Sequence, residues 1–127
     1  MFEKLGLTRM AQALASHAGA RLGTVARNVA NADTPGYRAM DLPDFGEVFS
    51  NTGPAMRTSR PGHIGFSDER PVTPEIHSGG AMAPNGNDVS LDLQMMKAVA
   101  TRQDHEMALA VYRSTSDIIR TSLGRKS

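Results

Sequence analysis

The stretch Asn28-Val29-Ala30-Asn31-Ala32-Asp33-Thr34-Pro35-Gly36-Tyr37 limits what this chain can fold into more than any other. The residues before it repeat like one helix, and residues 38–87 after it cannot form one. Pro35 disfavours α geometry at Thr34, and Pro35-Gly36 suits the two central positions of a type II turn. A helix is therefore expected to end near Asn31. Asn tolerates the left-handed conformation that often closes a helix, and the side chains of Asn31 and Asp33 can take up unpaired backbone groups there. Tyr37 follows as an anchor with an apolar ring and a polar tip.

Upstream, Leu7, Ala11, Leu14, Ala18, Leu22, Val25, Val29 and Ala32 recur at gaps of three and four, which puts them on one helical stripe. Arg9, Gln12, Ser16, Arg27 and Asn28 lie opposite. Such a narrow, Ala-containing stripe suits close packing on another helix, over roughly 38 Å at about 1.5 Å per residue. Residues 38–87 hold six of the seven prolines and seven of the twelve glycines, which breaks any long helix or regular sheet. Asp41 to Phe49 predicts a short helical turn with Leu42, Phe45 and Phe49 on one side. His63 to Phe66 and Val72 to Ile76 predict short strands at most. Ser78-Gly79-Gly80 and Asn85-Gly86-Asn87 read as flexible connections.

A second helix is expected from Asp88 or Ser90, either of which can cap it. Its stripe is Val89, Leu93, Met96, Ala100, Met107, Val111 and Ile118, with Tyr112, Ile119 and Leu123 beside it near the end; Gly124 and Arg125-Lys126 suit its C-terminus. The expected fold is all-α: one domain over 1–127, with terminal helices over 1–33 and 88–125 paired as an antiparallel coiled-coil-like hairpin. An irregular Pro/Gly-rich loop over 34–87, with at most short strands, joins them. The wide apolar surface late in the second helix leaves something to bury against another molecule.

Composition narrows the classes of function. Four Phe, two Tyr and no Trp cannot organise a large aromatic core, while Ala, Met and Gly favour close helix packing. The formal net charge is +1 and no segment is a basic patch, which argues against nucleic acid or an anionic membrane surface as a main partner. With no cysteine there is neither disulfide nor thiolate chemistry. Ala18-Gly19-Ala20 imitates a secretory cleavage site, but Thr8, Arg9, Gln12, Ser16 and His17 interrupt the apolar core a cleaved signal needs. No apolar run approaches the roughly 20 residues of a membrane span.

The stretch from Asn28 to Tyr37 resembles the N-terminal signature of the flagellar axial proteins, which build the rod and hook of the bacterial flagellum. Asn85 to Met95 and His105 to Ser114 are similar to the C-terminal helix of the proximal rod members of that family, and Thr58 to His63 adds a third match. Gln94 departs from the glutamate expected there. The resemblance implies a structural subunit exported by the flagellar type III apparatus without a cleaved signal. It would assemble in the periplasmic rod of the basal body, forming part of the drive shaft and export channel. Implied partners are further copies, other rod proteins, the inner-membrane ring or its rod adaptor, and the export apparatus. Leu14, Leu22, Val25, Val29, Pro35, Gly36, Tyr37, Leu93, Met96, Met107, Val111, Tyr112 and Ile118 are the candidate assembly residues. Asn28 and Asn31 join them as polar register-setters at a subunit contact.

No catalytic, metal or cofactor motif is complete. His105-Glu106-Met107-Ala108-Leu109 begins like a zinc-protease helix but has Leu109 where the second ligand is required. His17, His63 and His77 lack paired spacing and read as surface or turn residues. Gly79-Gly80 and Asn85-Gly86-Asn87 lack the lysine of a phosphate loop and the glutamate of a calcium loop. Asp41, Asp44 and Glu47 read as a solvated face rather than an acid pair. Met95, Met96 and Met107 read as packing residues. The competing reading is a soluble helical secretion chaperone or adaptor that holds a client on the same stripe.

Overall fold

The computed structural model describes residues 2–51 and 73–124. In chain order these form α1 (Phe2–Ala30), β1 (Met40–Asp41), α2 (Phe45–Asn51), β2 (Ile76–His77) and α3 (Leu91–Ser122). The predicted strand at 63–66 and the Pro61-Gly62-His63 turn lie outside the described residues.

The two long helices pack together as an antiparallel hairpin, the end of α1 against the start of α3, as expected. Their seam is not the expected one. Ala11, Ala18 and Val25 of α1 are buried, as are Gln94, Thr101, Ala108 and Thr115 of α3. Each set repeats every seven residues, the heptad spacing that keeps one seam facing a partner helix. On α1 this seam shares three residues with the predicted stripe, while Leu7, Leu22 and Val29 stay at least 40% exposed. On α3 it lies one residue beyond the predicted stripe. Gln94 follows Leu93, Thr101 follows Ala100 and Ala108 follows Met107. One residue is about 100° around a helix, so the bulky stripe is turned out of the hairpin. Leu93 is 36%, Met96 71%, Met107 54% and Ile118 48% exposed. Interaxial distance depends on side-chain size, and Ala and Thr let two helices approach where Met and Leu would hold them apart.

The described parts of the middle, 38–51 and 73–90, fold against the hairpin. β1 and β2 pair antiparallel, Met40 opposite His77 and Asp41 opposite Ile76. The helical turn predicted over 41–49 forms only from Phe45, as α2, because Asp41 is taken into β1. Asp44 caps it, its carboxylate accepting from the Gly46 amide at 3.2 Å, and the rings of Phe45 and Phe49 lie 5.4 Å apart. His17, expected to be a bystander, fixes this turn to α1: its Nε2–H donates to the Pro43 carbonyl at 2.9 Å and its ring meets Phe45 at 5.7 Å. Ser90, not Asp88, caps α3, accepting from the Leu93 amide at 3.4 Å. Gly124, with φ 68°, closes α3 at its other end.

Candidate assembly junction and exposed helix face

Two of the stretches that carry the resemblance, Asn28 to Tyr37 and Asn85 to Met95, meet in one hydrogen-bonded junction. Pro35 and Gly36 form the expected type II turn: the Tyr37 amide donates to the Thr34 carbonyl at 3.2 Å and Gly36 has φ 72°. Asn31 does not close α1 in the left-handed region, since among the described residues only glycines have positive φ. The helix end tightens instead. The Asn31 amide donates to the carbonyls of Arg27 and Asn28, and its side-chain amide donates to Arg27 at 2.8 Å.

Two carbonyls just beyond this helix end are also bound by the opposite stretch. Asn87, buried, donates from Nδ2 to the carbonyls of Asn31 at 2.9 Å and Thr34 at 2.8 Å, and accepts from the Val89 amide. The Gly36 amide donates to the Asn85 carbonyl at 3.0 Å. A Cβ on Gly86, which has φ 81°, would lie 3.4 Å from Gly36 Cα. The expected flexible connection is therefore half of the junction. Asp88 completes it: its carboxylate accepts from the Ala39 amide at 2.6 Å and from Arg38 at 3.4 Å. The Ala39 amide above all, then Arg38, holds its pKa below the usual carboxylate range against burial. Gly79 passes so close to this carboxylate that a Cβ there would collide with it.

Asn28, expected at a subunit contact, makes its hydrogen bonds within the chain. It is fully buried, and its amide makes four bonds. Oδ1 accepts from the Met40 amide at 3.1 Å and the Tyr37 hydroxyl at 3.2 Å; Nδ2 donates to the Met40 carbonyl at 2.6 Å and to Gln94 Oε1 at 3.1 Å. This uses the full capacity of a side-chain amide and mimics a strand edge for Met40. Gln94 is equally buried, but its Nε2 has no partner among the described residues.

Asp41 is buried too, not on a solvated face. Arg21 grips it through Nε at 2.8 Å and a second guanidinium nitrogen at 2.9 Å, Lys97 reaches it at 3.0 Å, and the Leu42 amide donates to it. Burial pushes this carboxyl up, but the hydrogen bonds from Arg21, Lys97 and Leu42 outweigh it and bring the pKa down to about 2. The same pairing raises the Arg21 pKa. One carboxylate thus ties the middle segment to both long helices. Sequence reasoning missed it because Arg21, Asp41 and Lys97 are remote in the chain.

Of the candidate assembly residues, the junction gathers Asn28, Asn31, Pro35, Gly36 and Tyr37. Val25 is in the seam, Leu14 and Val111 are half-buried beside it, and Leu22, Val29, Leu93, Met96, Met107, Tyr112 and Ile118 are exposed. No group of three or more metal-ligating side chains occurs among the described residues, and no described helix is long and apolar enough to cross a membrane.

The stretches that resemble the flagellar axial proteins thus lie on an α-helical hairpin closed by a helix-end turn, with a bulky apolar face left outside. Residues 8–38 match the family described as flagella basal body rod protein, and this match ends just beyond the type II turn. The chain is also 28% identical over 122 residues to the flagellar basal body rod protein FlgB of Agrobacterium fabrum, an alignment covering 88% of each chain. The resemblance to flagellar basal body rod proteins therefore runs through both helices.

Proposed function

We propose that this protein is a structural, non-enzymatic subunit of the flagellar basal body rod, and specifically of its proximal part. The similarity just described supports the rod role. The observation that carries assembly by helix packing is the rotation of α3: its seam uses Gln94, Thr101, Ala108 and Thr115, leaving Leu93, Met96, Met107 and Ile118 exposed. A chain that needed these residues for its own core would bury them, whereas a subunit that stacks with neighbours keeps them outside. In this reading the exposed candidate residues meet further copies and other rod proteins, and the inner-membrane ring or its adaptor lies at the base of the stack. The subunit reaches the periplasmic rod through the flagellar type III export apparatus, without a cleaved signal.

The test is co-purification. Cells lacking the gene are complemented with a tagged copy and extracted with detergent, and basal bodies are isolated. The tagged protein is expected in the basal-body fraction, with deletion cells non-motile and rodless. A soluble tagged protein alongside complete basal bodies would overturn the reading in favour of a secretion chaperone.

A further inference from the structure

We infer that Asn85-Gly86 is a spontaneous deamidation site that the closed junction protects, so that the modification falls on chains in which the junction is open. Asn85 is the one asparagine in the sequence that is followed by glycine. Asparagine deamidates when the backbone nitrogen of the next residue attacks its side-chain carbonyl. A glycine there leaves that nitrogen unshielded and its backbone free to reach the geometry. The Gly86 nitrogen gives up its proton and bonds to Asn85 Cγ, the Cγ–Nδ2 bond breaks, and the side-chain nitrogen leaves as ammonia. Water then opens the cyclic imide at either of its carbonyls. Opening at Cγ gives aspartate, and opening at the main-chain carbonyl gives isoaspartate, in which the chain runs through Cγ.

The junction holds both reacting groups. The Gly86 amide, the nucleophile, donates its proton to the Ala83 carbonyl at 2.9 Å. The electrophile is held as well: Asn85 Oδ1 accepts from the Asn87 amide at 3.1 Å, and the Asn85 main-chain carbonyl accepts from the Gly36 amide at 3.0 Å. Gly86 is packed on Gly36 at φ 81°, and Asn87 on its other side is buried and tied to the carbonyls of Asn31 and Thr34. Ring closure must release the bond to Ala83 and draw Asn85 Cγ onto the Gly86 nitrogen. The folded rate is therefore the unfolded rate scaled by the fraction of time the junction is open. The two products then behave differently. Aspartate keeps the main chain and an oxygen for the Asn87 amide. Isoaspartate adds a methylene to the main chain where Gly86 lies against Gly36, so a chain modified in this way does not rebuild the junction.

Full-length protein is incubated at mildly alkaline pH in buffer and in urea, and the peptide spanning Asn85 is followed by mass spectrometry, with isoaspartate identified by enzymatic methyl transfer. Asn85 is expected to react fastest of the asparagines in urea and at least about tenfold more slowly in buffer. Equal rates in the two conditions, or no reaction at Asn85 in urea, overturn the inference. Gly36→Ala weakens the junction from a position remote in sequence. It is expected to raise the rate in buffer about fivefold and leave the rate in urea unchanged; a wild-type rate in buffer would place the protection elsewhere and overturn the gating. The isoaspartate form, separated after return to buffer, is expected to melt below the unmodified protein, whereas Asn85→Asp melts with it. Equal melting of the two modified forms would overturn the difference between the products.

Discussion

Asn28 and Gln94, 66 positions apart, are hydrogen-bonded at 3.1 Å between α1 and α3, and both side chains are fully buried. The pair is unequal. Asn28 has every hydrogen-bonding position filled, while Gln94 leaves its Nε2 unpaired among the described residues. Asn28→Ala strands the Met40 amide and carbonyl and a second atom of Gln94, and is expected to cost about 2–4 kcal/mol. Tyr37→Phe removes one of the four bonds and should cost about 1 kcal/mol. Urea denaturation followed by circular dichroism reads both, and equal effects would contradict the account.

Gln94→Met replaces an amide that is half-satisfied. Losing the acceptor for Asn28 is offset by removing a buried unpaired donor, so the net change is expected to stay within about 1 kcal/mol of the wild type. The same denaturation series decides it; a loss as large as that of Asn28→Ala would mean that Nε2 has a partner.

Acid should weaken the chain through Asp41. Its pKa falls from 3.8 to about 2 on folding, so the native state holds the carboxylate more tightly than the unfolded chain does. The stabilisation, on the order of 2 kcal/mol, is fully present above the unfolded value and is lost as pH falls from about 4 through about 2. Asp88, also lowered, adds to the same trend. Asp41→Asn is less stable at neutral pH and shows a flatter profile between pH 4 and 2, measurable by thermal melts across that range.

Two neighbouring glycines should respond unequally. Gly79→Ala drives a methyl into the Asp88 carboxylate and is expected to cost about 1–3 kcal/mol, whereas Gly80→Ala has nothing within 4 Å and should be near neutral. Gly36→Ala meets no atom but keeps φ 72°, which costs about 1 kcal/mol from backbone conformation alone. Melting temperatures of the three variants give the order.

The exposed stripe should separate folding from assembly. Met96→Ser with Met107→Ser changes surface residues and is expected to leave stability within about 0.5 kcal/mol while reducing recovery of the protein in basal bodies. Ala108→Leu does the reverse, because overpacking a seam residue that is 1% exposed costs about 1–3 kcal/mol in the fold itself. Normal motility in the double serine variant would remove the stripe from the interface.

The sequence by itself determined where the helices stop and what stops them. Pro35 and Gly36 enforce their turn through φ restrictions that act within a few residues, and the prolines and glycines of 38–87 break periodicity locally. Leu42, Phe45 and Phe49 announced α2, and the long apolar repeats announced two helices that need a partner. Which face of α3 meets α1 was decided only in three dimensions. Periodicity reports that an apolar stripe exists but not what covers it; close approach of two helices favours the small Ala108 over its neighbour Met107, and Gln94 enters the seam beside Leu93 through its bond to Asn28. The contacts of Asn28, expected as a register-setter between subunits, were equally hidden, as were those of Asp41, Asn87 and Asp88, which read as ordinary surface, turn and cap residues. Their roles depend on partners tens of positions away, and a buried amide or carboxylate takes its meaning from the groups that satisfy it.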